Sequence, residues 1–145
     1  VQTAPTHAPD HAPAAGAHSD GNTGFVIAGI LGALGVALGA FGAHALKGWL
    51  ATADDGAQRL AWWSTATQYH LWHALLAVVF ALMVRRAPRA KTGIWLCVVG
   101  VTLFSGSLYV MTLTNVRALG AVTPLGGLAF IGAWVWLIVA TRRAP

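Results

Sequence analysis

Four apolar runs, residues 24–46, 62–84, 93–113 and 119–140, occupy most of this 145-residue chain, and each has roughly the 20 residues needed to cross a bilayer as a helix. Backbone N–H and C=O groups in hydrocarbon must be satisfied within the protein, and none of the runs alternates as a strand would, so each predicts a helix. The fold class expected is therefore an all-α membrane protein, an up-and-down bundle of four transmembrane helices. With 57% hydrophobic and 9% charged residues, the chain is far from the roughly 25% charged content of soluble proteins. The formal charge of +5 does not indicate nucleic acid, because the basic residues flank the apolar runs instead of forming one exposed patch. A single cysteine, Cys97, excludes an intrachain disulfide and a cysteine-based metal cluster.

Four spans put both termini on one side, together with the connection at 85–91. That side carries Arg85, Arg86, Arg89, Lys91, Arg142 and Arg143, against Lys47, Arg59 and Arg117 on the other. The bias of basic residues predicts cytoplasmic termini in a bacterial inner membrane, the mitochondrial inner membrane being the second option. Trp49, Trp62 and Trp63 mark the outer boundary, and Trp95, Trp134 and Trp136 the inner one. Trp72 is expected inside, beside His73.

Residues 1–23 are rich in Ala and Pro, carry His7, His11 and His18, and lack apolar periodicity, which predicts a disordered or partner-bound tail ahead of a domain at 24–145. No charged segment precedes an apolar core there, so the tail does not read as a secretory signal. His7 and His11 share a face only if the tail becomes helical, which leaves metal capture as a minor option beside a solvated tail.

Histidines within the spans carry the functional question, because ionisable groups at that depth are costly. Ala66, His70, His73, Ala77 and Ala81 form one helical stripe, so both histidines are expected to face protein. Gly35, Gly39 and Ala43 recur every four residues, with Gly32 on a neighbouring track, and Gly126 and Gly127 follow Thr123-Pro124. Small residues at this spacing allow close helix approach, within the bundle or in a homo-oligomer. His44, Tyr69, His70, His73, Ser105, Ser107, Tyr109 and Thr123 lie in the outer half of the spans. They form either an interhelical hydrogen-bond network or a polar pocket.

No cofactor or metal is expected. His70 and His73 leave the same face of one helix and cannot both ligate one haem, and no acidic residue or cysteine stands near them to complete a metal site. No span contains a carboxylate, and the paired acids Asp54 and Asp55 lie in the polar segment 47–61, expected to be a loop or short interfacial helix. Enzymatic activity is not expected.

The segments GAFGAH (39–44), YHLWHAL (69–75), FSGSLY (104–109) and LGAVTPLGGLAF (119–130) together resemble the YgdD/YwdK-type family of small membrane proteins of unknown function. The resemblance runs from about residue 24 to about residue 140. It implies four spans and supplies no activity or cofactor. His44 and His73 fit the family pattern, whereas His70 stands where glutamine is common and Gln68 where a basic residue is common. Two functional expectations follow. The first is an accessory or assembly subunit of a larger membrane complex, respiratory or photosynthetic, with the lipid bilayer and other subunits as partners. The second is a stand-alone carrier or sensor for a small molecule, lipid or proton.

Overall fold

The computed structural model describes the backbone of residues 15–142 and the side chains of 22–142. His7, His11 and Arg143, and the expectations attached to the tail at 1–14, lie outside the described residues. The first helix, α1, runs over Ala15–Phe41 and continues through a π-helical turn at Gly42–Leu46 to Trp49. After a short loop, α2 spans Gly56–Met83 and α3 spans Ala90–Thr114, the latter carrying a second π-helical turn at Val101–Ser105. A 3-10 turn at Arg117–Ala121 leads into α4, Thr123–Arg142.

All four helices are long and apolar enough to cross a membrane. The expected boundary at residue 23 falls inside α1, because hydropathy marks where lipid begins, whereas the helix continues as long as its backbone bonds do. Asn115 ends α3 in the left-handed region at φ 59°, a conformation that asparagine tolerates better than other non-glycine residues. Its N–H closes on the Met111 carbonyl at 2.9 Å.

The helices pack in sequence order. α1 lies against α2, α2 against α3, and α3 against α4, while α1 and α4 share no extensive contact. The most apolar windows of α2 and α3 are 44% and 50% buried, against 22% for α1 and 17% for α4. Two central helices are thus flanked by two peripheral ones. Towards one end the core gathers Ala77, Phe80, Ala81, Ile94, Cys97, Phe130 and Ala133, and towards the other Leu46, Trp63, Ala66, Leu108 and Met111.

Because lipid tails are as apolar as these side chains, burial alone does not hold such helices together, and close packing with interhelical hydrogen bonds must do so. Two helices approach closely at Gly126, where any Cβ would fall on the Phe104 backbone nitrogen. Gly35 and Gly39 likewise meet Leu71 and Thr67 of α2. Gly32 has open space where a Cβ would go, and Gly127 has only ordinary contact with Phe104. Ala43 is exposed, so the expected packing stripe is used in part.

Candidate functional site

His70 and His73 are both 3% exposed, and they have different surroundings. His73 Nδ1 lies 2.8 Å from the Tyr69 carbonyl one turn earlier, and Trp134 Nε1 of α4 donates to His73 Nε2 at 3.2 Å. A carbonyl can only accept and an indole N–H can only donate, so the two bonds together require a neutral imidazole with its proton on Nδ1. Phe130 stacks on the ring at 3.5 Å between centroids. Both nitrogens and one face of His73 are therefore occupied by the protein.

His70 Nδ1 faces the Tyr109 hydroxyl at 3.4 Å, and that hydroxyl donates to Thr67 Oγ1 at 3.3 Å. Thr67 in turn donates to the Trp63 carbonyl at 3.0 Å. His70 Nε2 is turned towards the Leu31 backbone but makes no well-formed hydrogen bond. The chain of contacts from His70 to Trp63 is long and weak at the histidine, unlike the short bonds around His73.

The remaining polar candidates form separate pairs. Ser105, fully buried, donates to the Ala66 carbonyl of α2 at 2.8 Å. The π-helical turn that ends at Ser105 widens α3 there. Ser107 and Thr123 share a 2.9 Å hydrogen bond between α3 and α4. Tyr69 contributes its ring, packed against Phe104 at 4.7 Å between centroids. These contacts tie α2, α3 and α4 together.

Three sequence expectations meet different surroundings. His44 is exposed on α1, whereas His70 and His73 are buried. Trp72 is 50% exposed, because it falls outside the face of α2 that carries the buried Ala66, His70, His73 and Ala77. Trp134, read as an inner-boundary anchor, sits where its indole reaches His73.

Sequence reasoning also missed Arg59. Its Nε donates to the Thr112 carbonyl at 2.7 Å and its Nη2 to the Leu113 carbonyl at 3.2 Å, while Thr112 Oγ1 donates to the Arg59 carbonyl at 3.1 Å. Arg59 thus covers the C-terminal carbonyls of α3, which have no partner within the helix and carry its negative dipole end. Asp55 lies 3.7 Å from Arg59 and 3.5 Å from Arg117, and the Arg59 guanidinium sits 5.4 Å from the centroid of the Trp49 ring. Arg59 stands 53 residues before Thr112, so no local sequence pattern signals this role.

A lateral cleft of about 430 Å³ opens between α1 and α2 near this end, lined by Gly39, Gly42, Ala43, Lys47, Leu60, Trp63, Ser64, Thr67 and Gln68. Neither His70 nor His73 lines it. Among the described residues no three His, Cys, Asp or Glu side chains come together as a metal site.

Residues 38–127 match the family model described as a protein of unknown function, DUF423. The chain is 43% identical over 123 residues to the UPF0382 membrane protein YwdK of Bacillus subtilis, covering 82% of this chain and 96% of that one. It is 40% identical over 119 residues to a UPF0382 membrane protein of Staphylococcus haemolyticus, covering 79% and 93%. Against the UPF0382 inner membrane protein YgdD of Escherichia coli K12, identity is 35% over 124 residues, covering 81% and 88%. No solved structure matches. The family-model match over residues 38–127, more than half of the chain, and the alignment with these relatives over about four fifths of it show that the chain belongs to the UPF0382 (DUF423) family of membrane proteins.

Proposed function

We propose that this protein is a non-catalytic accessory or assembly subunit that packs through α1 against another membrane protein. The observation carrying this reading is an uncovered track on α1. Gly29, Ala33, Ala37 and Ala40 are all exposed, and His44 is exposed on the same stripe. A Cβ at Gly29 would meet nothing within 4 Å. In lipid, small residues at this spacing favour close approach of another helix, and an ionisable side chain beside them normally faces protein or water. The carrier or sensor reading needs His70 and His73 free to meet a ligand, whereas both ring nitrogens of His73 are bonded within the protein and His70 Nδ1 faces Tyr109.

The bias of basic residues supports termini on the cytoplasmic side, and the inner membrane protein YgdD of E. coli, a relative, supports a bacterial inner membrane. Purification from native membranes in mild detergent, followed by native electrophoresis, tests the partner reading. The expected result is co-migration with a larger complex that Ala33→Leu and Ala37→Leu release. Recovery of the chain alone, or only as copies of itself, overturns it. Reporter fusions at the C-terminus test the orientation.

A further inference from the structure

We propose that the α1–α2 cleft holds one acidic glycerophospholipid from the leaflet at the α1–α2 loop end. Lys47 lines its rim, at the last turn of α1, and pairs with no carboxylate among the described residues. The acids of the adjoining loop do not line the cleft, and Asp55 is engaged by Arg59 and Arg117. The rim therefore presents a cation without a protein counter-ion. It sits near Trp49 and Trp62, the indoles that mark the level of lipid headgroups.

Below the rim the lining changes character. Ser64 and Gln68, one turn apart on α2, are exposed towards the cleft and make no hydrogen bond among the described residues. Six residues separate Gln68 from Trp62, which places its amide about 9 Å further into the membrane at 1.5 Å per residue. An unpaired amide at that depth is unfavourable in hydrocarbon and is relieved by an acceptor that reaches equally deep. The cleft walls between these groups, Gly39, Gly42, Leu60 and Trp63, are apolar.

A ligand matching this gradient has a phosphate at the rim, an ester carbonyl below it and an acyl chain beyond. In an acidic glycerophospholipid, the phosphate oxygens accept from Lys47 Nζ and Ser64 Oγ, and an ester carbonyl accepts from the Gln68 amide. A free soluble anion has no use for the apolar walls or the deep amide. The volume, about 430 Å³, falls within the range of small-ligand sites and suits a headgroup with the upper chain. The site uses a different flank of α1 from the Gly29–His44 track, so it stands or falls independently of the partner reading.

The test uses the full-length protein, purified and reconstituted in nanodiscs of equimolar phosphatidylglycerol and phosphatidylcholine, with retained lipid identified by native mass spectrometry after detergent release. The wild type is expected to retain one phosphatidylglycerol in preference to phosphatidylcholine. Lys47→Gln should lower that preference roughly tenfold, as expected for losing one charge-assisted hydrogen bond, while Lys47→Arg keeps it. Gln68→Leu should reduce retention of both lipids. Thermal unfolding of each variant confirms that these exposed positions leave the fold intact. Equal retention of the two lipids by the wild type, or a preference unchanged in Lys47→Gln, overturns the proposal.

Discussion

The indole N–H of Trp134 donates to Nε2 of His73 across 3.2 Å, joining a half-exposed residue of a peripheral helix to a buried one of a central helix. With Nδ1 committed to the Tyr69 carbonyl and Phe130 stacked on the ring, His73 holds α4 against α2. His73→Ala is expected to cost about 2–4 kcal/mol, from lost volume against Phe130 together with two lost bonds. Trp134→Phe should cost about 0.6–1.7 kcal/mol, the range for interhelical hydrogen bonds in membranes. The double variant should lose less than the sum, which unfolding measurements in detergent can resolve.

The Gly126 contact predicts a large effect from one methyl group. Gly126→Ala meets the Phe104 backbone, which cannot move aside as a flexible side chain could, and should destabilise by about 1–3 kcal/mol. Gly32→Ala enters open space and should leave stability unchanged or raise it by about 0.5–1 kcal/mol through helix propensity. Comparing the two melting temperatures checks both.

Arg59 and Thr112 exchange hydrogen bonds through their side chains and carbonyls. Thr112→Val keeps the shape of a fully buried residue and loses its hydroxyl bonds to Arg59 and Leu108, with an expected cost of about 1–2 kcal/mol. Arg59→Lys keeps the charge but cannot span both α3 carbonyls with a planar fork. Faster proteolysis at the 114–117 turn, measured in both variants, would reveal the loosened end of α3.

Cys97 of α3 is fully buried in the core. A membrane-permeant maleimide should therefore leave it unlabelled in the folded protein and label it fully after denaturation in SDS. Rapid labelling under native conditions would contradict the packing of α3 described above.

Much of this arrangement is written in the sequence. Apolar runs long enough to cross a bilayer give the four helices, and the spacing of Ala66, His70, His73 and Ala77 gives their shared buried face. What was not legible depends on relations between helices. A π-helical turn adds a residue to one turn without any composition signature, so the aim of Ser105 at the Ala66 carbonyl could not be read from heptad-like spacing. His44 follows a small-residue motif that suggests an interior position, yet its exposure depends on which side of α1 meets α2. Arg59 counted in the sequence only as a loop charge, because the carbonyls it reaches lie more than fifty residues further on.

The serial packing of the four helices also restricts what a single protomer can conduct. A pore requires helices closed around an axis, whereas here the two outermost helices share no extensive contact and the middle pair fill their own interface with side chains. Among the described residues these contacts close no ring of helices around an axis. A molecule seated in the α1–α2 cleft would enter it from the side, along the plane of the bilayer.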